Sequence, residues 1–402
     1  MKSSPPRIAA VCSEFHIISH ADVIVSRWLE PFPNDHLYGW GPPKTQIASA
    51  YAEQRKVTGD MLPIHALRYG LPVFDSIEGA LTLGGSDLAV DGILLIGEHG
   101  TYPTNEFRQK LYPRKEYFDE VLRIFDKSGR VVPVFFDKHL SWNTGWITEM
   151  YHAIRDRGIP FMAGSSIPFS HPPQLAAFPP GRQIQEVVLS YYGDFEGYFF
   201  HSREFAEAFI ETRDRATRDI ESLVVWENGL MWDAVERGEF SWDLAEAACG
   251  SHTVEARDAI RESRRKRLEP SAAFQFRYAD GLRVTHVWEK ETVKKQCLAA
   301  RMRDGSVIAG TNLTSGVEHY YPHFARFCRQ IEDFMLTGKS PVPLERSYVT
   351  SMTTALAMHA AAKPVEVLSP PELKLPNPVG PVPRAGLWAK RPGKKLPPSP
   401  PD

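Results

Sequence analysis

The stretch Val131–Trp142, VVPVFFDKHLSW, is an apolar run that breaks abruptly into Asp137, Lys138 and His139. Preceded by a helical pattern ending at Gly129 and followed by another helical pattern, it reads as a buried parallel strand. In an open parallel sheet, ligands bind outside the carboxyl ends of the strands, so this ionisable trio marks a candidate site. The alternative is a solvated strand end at which Asp137 and Lys138 simply pair.

The same alternation of strand and helix runs through the first part of the chain. Ile8–Cys12, Gln46–Tyr51, Pro72–Phe74, Asp91–Gly97 and Pro160–Gly164 read as further strands. Between them Ser19–Leu29, Met61–Tyr69, Ile77–Leu83, Arg114–Lys127 and Asn143–Gly158 read as helices, the first opened by Ser19 with Asp22 in a capping-box variant. Six strands joined by helices predict a Rossmann-like, doubly wound parallel sheet over residues 7–165. If the strand order is 3-2-1-4-5-6, the carboxyl ends of the first, fourth and fifth strands form one rim. That rim would carry Ser13, Glu14, Phe15 and His16, then Gly97, Glu98 and His99, then Asp137, Lys138 and His139.

After Ser165 the pattern changes. A Pro-rich piece, residues 168–180, reads as a crossover; Gln183–Tyr192 is strand-like, and Gly197–Arg213 is an amphipathic helix with His201 and Glu204 on one face. Residues 219–268 read as further helices, Asp280-Gly281 and Asp304-Gly305 mark two hairpins, and His323–Leu336 and Leu344–Ala362 are the closing helices. Residues 166–365 are therefore expected to form an α+β domain with an open, mainly antiparallel sheet. Disorder is expected at residues 1–6 and in the Pro/Lys-rich tail, 366–402.

Composition removes several function classes. The formal net charge is -2, with Lys+Arg 47 against Asp+Glu 49, which gives no electrostatic case for nucleic acid or an anionic membrane. A small-molecule ligand is expected. Cys12, Cys249, Cys297 and Cys328 show no C-x-x-C spacing and read as free thiols of a reducing compartment. With no apolar span of transmembrane length and no signal-peptide core at the N-terminus, a cytoplasmic location is the expectation.

Four stretches give the chain a resemblance to the Gfo/Idh/MocA superfamily of oxidoreductases, the glucose–fructose oxidoreductase and inositol dehydrogenase group. VDGILLIG is similar to the family's fourth strand, FDKH stands where the family has E-K-P, and GYFFHSREF stands where it has a helix with a catalytic histidine. HFARFCRQIEDFMLTGKSPVPLERSYVTSMTTALAMHAA resembles its closing helix pair. The resemblance implies NAD or NADP and a hydroxyl or keto group of a sugar, cyclitol or related polyol. It implies that Lys138 and His201, with Asp137 beside them, assist proton transfer at the carbinol oxygen. Ser13, His16, His20, Glu53, Gly97, Glu98 and His99 are then the candidate cofactor residues, and His139, Trp142, Tyr198 and Glu204 the candidate substrate residues. Relatives of this kind often associate through the second sheet, whose Phe274, Phe276 and Tyr278 would need a cover, so a homo-oligomer is expected.

The departures are as informative. A dinucleotide turn normally reads G-x-G-x-x-G, because only glycine lets the backbone close on the pyrophosphate. Here it reads Cys12-Ser13-Glu14-Phe15-His16, with a negative charge and a large ring where phosphates would lie. The proline of E-K-P is replaced by His139. Two alternatives to a nicotinamide oxidoreductase therefore stay open. One is metal-assisted hydrolysis, elimination or epimerisation of a carbohydrate, with a divalent ion on His16, Glu98, His99, Asp137 and His139. The other is a non-catalytic sugar-binding relative on the same scaffold.

Overall fold

The apolar runs pair side by side. In the computed structural model, β1 (Arg7–Glu14), β2 (Gln46–Gln54), β3 (Gly92–Ile96), β4 (Val134–Asp137) and β5 (Phe161–Gly164) form one sheet in the order β2-β1-β3-β4-β5. Every pairing in it is parallel. The residues described are 4–374, apart from 171, 173, 174, 176, 177, 179, 180, 215–218, 313, 315, 317 and 318. β3 and β4 are buried at every position, which is why they read as unbroken apolar runs rather than alternations.

Two strand expectations need correction. The long run Val131–Trp142 is strand only at Val134–Asp137, because Lys138 turns the chain out of the sheet with φ 69°. The expected third strand, Pro72–Phe74, shrinks to a single bridge between Val73 and Ala50. It still lies outside β2, as the 3-2-1-4-5-6 order requires, and the missing N–H of Pro72 limits how far it can extend the ladder.

Helices cover both faces of the sheet. The first is one π-turn, Asp22–Ser26, running into α1 (Arg27–Leu29). Its start carries the expected cap: the Asp22 N–H donates to Ser19 Oγ at 3.2 Å, and the Asp22 carboxylate accepts the Ile18 N–H at 2.8 Å. α2 (Leu62–Tyr69), α3 (Ile77–Thr82), α4 (Arg114–Ser128) and α5 (Thr144–Asp156) follow. α3, α4 and α5 pack on the face that carries Val11, Ile93, Leu95 and Phe136.

The second sheet has six strands: β6 (Ile184–Tyr191), β7 (Ile220–Glu227), β8 (Ser271–Tyr278), β9 (Arg283–Glu289), β10 (Cys297–Met302) and β11 (Val307–Thr311). Their order is β11-β10-β6-β9-β8-β7, antiparallel except for the β6–β9 pair. The expected helical stretch 219–268 thus begins with an edge strand, Ile220–Glu227, followed by α7 (Gly229–Glu236), α8 (Trp242–Gly250) and α9 (Val254–Lys266). α6 (Gly197–Ile210) lies on the opposite face and carries the candidate histidine.

Both faces of this sheet are covered within the chain. Phe274, Phe276 and Tyr278 pack with Phe199, Phe205 and Met352, while Ala273, Val287 and Ala299 pack with Trp232, Leu244 and Ala248. The apolar face that motivated an oligomer through this sheet is therefore not open.

The two closing helices tie the sheets together. α10 (Pro322–Thr337) returns to the first sheet, where Phe327 meets Phe135 at 5.3 Å and Phe169 at 5.1 Å between ring centroids. α10 approaches so closely that a Cβ on Gly92 would lie 2.6 Å from Met335 Sδ. α11 (Leu344–Ala361), rich in Ala, Ser and Thr, is buried nearly all round between α5, α6, β5 and β7. Residues 366–374, expected to be disordered, partly line β7: Leu368 exchanges both backbone hydrogen bonds with Leu223, at 2.8 and 2.9 Å. Residues 1–3 and 375–402 of the expected disordered ends lie outside the described residues, as do most of positions 171–180 in the Pro-rich crossover.

Phe327→Ala should cost about 3–5 kcal/mol, because it removes a fully buried ring shared between α10 and the first sheet. Urea unfolding followed by tryptophan fluorescence measures it. A loss below about 1 kcal/mol would show that α10 does not seal this face.

Candidate functional site

The rim predicted from the strand ends exists. β1, β3 and β4 are neighbours, and each ends in a residue or turn of left-handed backbone: Ile18 at φ 62°, His99 at 70° and Lys138 at 69°. Non-glycine residues adopt this conformation only where the surroundings over-determine it. Here polar contacts do so. The Lys138 N–H donates to the Gly164 carbonyl at 3.1 Å, and its ammonium meets Glu98 Oε1 at 2.7 Å. Gly164 is required at that place, since a Cβ on it would lie 2.9 Å from Glu204 Oε2.

Glu98 is the centre of the rim. Its other oxygen accepts from Arg114, at the start of α4, at 2.6 Å, and Arg114 also meets His139 Nε2 at 2.8 Å. Burial alone would raise the Glu98 carboxyl, but Lys138 and Arg114 outweigh it and hold the group well below the usual carboxylate range. The same burial, helped by Arg114, keeps His139 neutral.

These groups line a cavity of about 930 Å³ between the two sheets. Of the candidate residues, His20, Glu98, His99, Lys138, His139, Tyr198 and His201 face it. His201 Nδ1 and the Ser165 hydroxyl are 2.6 Å apart, which leaves the other ring nitrogen for a ligand. Burial, with Lys138 and His20 adding to it, pushes the His201 imidazole well below its ordinary pKa, so the ring is uncharged. His99 is pushed down to about 3, by burial first and then by His20.

Other candidates take supporting places. Asp137 is buried and accepts from His20 Nδ1 at 2.7 Å, orienting that ring from behind the cavity. Glu204 does not line the cavity: Arg346 of α11 lies 3.6 Å from its carboxylate, and the Ser165 N–H points to it at 3.5 Å. Trp142 packs on Trp146 at 4.9 Å between centroids, and its carbonyl accepts from Gln109, so it belongs to the loop rather than to the cavity wall. Ser13 Oγ donates to the Glu98 carbonyl at 2.7 Å, and Gly97 lets the Arg114 side chain cross it, a Cβ there lying 2.9 Å from Arg114 Cγ. Glu53 ends β2 and accepts the hydroxyls of Tyr102 and Tyr117.

The five-residue metal set is not assembled. Glu98 is held by Lys138 and Arg114, Asp137 by His20, and His139 by Arg114; only His16 and His99 approach each other, with Glu14 as the third group.

A nicotinamide dinucleotide can be tested against the β1 turn directly. The N–H groups that would face a pyrophosphate already donate within the chain: Ile17 to the Gly59 carbonyl at 3.0 Å, Ile18 to Asp22 at 2.8 Å and Ser19 to the His16 carbonyl at 3.0 Å. Phe15 is buried against His65, and its carbonyl accepts the Met61 N–H at 2.8 Å. Glu14 pairs with His16 at 2.8 Å. This turn does not fit phosphates. The main cavity does offer volume and charge, since six lysines and arginines but three carboxylates line it.

Several wall residues have no strong sequence signal of their own. Arg108, Lys110 and Tyr112 come from the stretch between β3 and α4, whose unusual length is the one hint, and Arg114 opens α4 itself. Lys295, Asn312, Tyr321 and His323 reach the cavity from the far side of the chain.

Glu196 also faces the cavity. One oxygen accepts the Lys110 N–H at 2.9 Å, and the other, buried, has no hydrogen-bond partner among the described residues. Burial pushes its carboxyl up to about 7, against the smaller pull of the Lys110 N–H and Arg114. The folded state therefore holds this proton longer than the unfolded chain does, and Glu196 makes stability fall as pH rises from about 4.5 through about 7. Glu196→Gln should match wild type near pH 5 and exceed it by roughly 1–3 kcal/mol near pH 8. Denaturant midpoints at the two pH values check this, and a difference that does not grow with pH would contradict it.

No model of a known protein family matches the chain, and no curated protein matches it in sequence. Solved structures do match. GenD2 from gentamicin A biosynthesis, in complex with NAD, superposes with a TM-score of 0.56 at 13% identity over 92% of this chain and 97% of its own. A myo-inositol dehydrogenase from Corynebacterium glutamicum gives 0.55 at 13% identity, over 91% and 99%. A biliverdin reductase from Synechocystis, in complex with biliverdin and NADP+, gives 0.51 at 10%, over 89% and 99%. The two sheets, their order and the helices around them give this chain the fold of these solved structures.

Proposed function

We propose that the chain is an oxidoreductase of the Gfo/Idh/MocA type, acting on a hydroxyl or keto group of a sugar, cyclitol or related polyol with a nicotinamide cofactor. The observation that carries this reading is the pairing of Lys138 with a neutral, buried His201 on one cavity, at the strand end where such a fold presents its chemistry. The fold neighbours described with NAD and NADP+ support the choice of cofactor.

Oxidising an alcohol removes a proton from oxygen and a hydride from carbon. A bound nicotinamide would supply the acceptor for the hydride. His201, neutral and tethered through Nδ1 to Ser165, accepts the proton with its free nitrogen. Lys138, anchored by Glu98, places a positive charge against the oxygen as it gains negative charge. Tyr198, Gln296 and Asn312 supply hydrogen-bonding groups for the remaining hydroxyls. His20 and the cationic wall of Arg108, Lys110 and Lys295 are the groups that would meet the cofactor's phosphates, since the β1 turn is closed.

Lys138→Met should lower polyol oxidation by about 10²–10⁴-fold while cofactor still binds. A screen of sugars and cyclitols with NAD+ or NADP+, followed by nicotinamide absorbance, gives the rate. A variant that turns over as fast as wild type would exclude Lys138 from the reaction.

A further inference from the structure

Next to the main site, at the end of β1, three ligand-type side chains converge that the proposed reaction does not use. Glu14, His16 and His99 each offer one atom, and the three atoms lie within 4.8 Å of one another. Their hydrogen bonding is unbalanced. His16 Nδ1 is 2.7 Å from the Ile17 carbonyl, an acceptor, so that nitrogen carries a hydrogen. The other nitrogen, Nε2, lies 2.8 Å from a Glu14 carboxylate oxygen, which also only accepts. Both ring nitrogens of His16 therefore face oxygen acceptors. His99 adds an independent observation. Its Nε2 is buried and has no hydrogen-bond partner among the described residues, while its ring sits 5.5 Å from that of His16. A Glu14–His16 ion pair alone leaves that nitrogen unexplained.

We propose that Glu14, His16 and His99 form a binding site for a divalent first-row metal ion of the zinc type. Two imidazoles and a carboxylate are the usual three-ligand set for an ion that keeps an open position. Ligand atoms about 2.0–2.2 Å from such an ion stand about 3.5 Å apart, so small side-chain rotations close the set. The Nδ1 contact of His16 with the Ile17 carbonyl is the outer-shell bond that fixes a ligating ring. His99 also lines the main cavity, so the ion stands at its rim, where an oxygen of the bound ligand completes the coordination. The site occupies the turn that a glycine-rich sequence fills in dinucleotide-binding proteins.

The test uses the full-length protein, stripped with chelator, dialysed and titrated with Co2+ while its visible absorption is followed. One equivalent should saturate the spectrum with the intense bands of a low-coordinate site. Glu14→Gln and His16→Ala should each weaken binding at least about 10-fold. Circular dichroism establishes that each variant is folded, and Glu14→Gln, which keeps the shape of the side chain, decides the matter if His16→Ala is not. Absence of a saturable Co2+ spectrum in the wild type, or variants that bind as the wild type does, would overturn the proposal. Neither cofactor nor substrate enters the measurement, so its outcome is separate from that of the oxidoreductase reading.

Discussion

One buried carboxylate holds the candidate site together. Glu98 closes β3 and binds Lys138, at the end of β4, with one oxygen and Arg114, at the start of α4, with the other. Removing Glu98 would leave Lys138 and Arg114 as uncompensated, largely buried positive charges, a change that typically costs several kcal/mol. The left-handed backbone at Lys138 is held in the same frame, since its ammonium binds Glu98 and its N–H donates to the Gly164 carbonyl. Arg114 passes the constraint on to His139, and the Lys138 N–H passes it to β5 through Gly164. The catalytic proposal depends on this frame, because a lysine free to rotate could not present its charge to one oxygen.

The β1 turn shows how a Rossmann-like sheet can lack the glycine turn. Ser19, Asp22 and the carbonyls of His16 and Gly59 satisfy the backbone N–H groups that glycine would leave free for phosphate. Phe15 fills the space beneath, and the first helix is reduced to a π-turn and one α-turn. In the proposed reading, phosphate recognition moves from backbone dipoles to side-chain cations of the cavity wall, a change from a fixed cradle to one built from Arg108, Lys110 and Lys295.

The sequence made the first sheet legible because buried parallel strands are continuous apolar runs, and Lys138, His139, Glu98 and His99 stood out as charges at the ends of two of them. Alternation of strand and helix pointed to a doubly wound sheet, and the order 3-2-1-4-5-6 was a condition that the pairing of β1 with both β2 and β3 meets. Ile220–Glu227 was hidden because it opens a stretch dominated by helical patterns, and its strand character comes from pairing with β8, Val225 opposite Phe274. Glu204 looked like a partner of His201 on one helical face, yet its position is decided by Arg346, far along the chain and buried in α11. Ion pairs of that kind depend on the packing of distant helices and leave no local periodicity. The oligomer expected from Phe274, Phe276 and Tyr278 rested on an alternating face whose cover, α6 and α11, comes from segments on either side of that strand in the chain.

The central claim is that this fold binds a nicotinamide cofactor without a glycine turn. Titrating the purified protein with NADH and NADPH, and following energy transfer from tryptophan to the nicotinamide ring, tests it most directly. Saturable transfer in the micromolar range, lost when Arg108 and Lys110 are both replaced by alanine, is the predicted result. No transfer at millimolar cofactor, from protein shown to carry none from its preparation, would contradict the account.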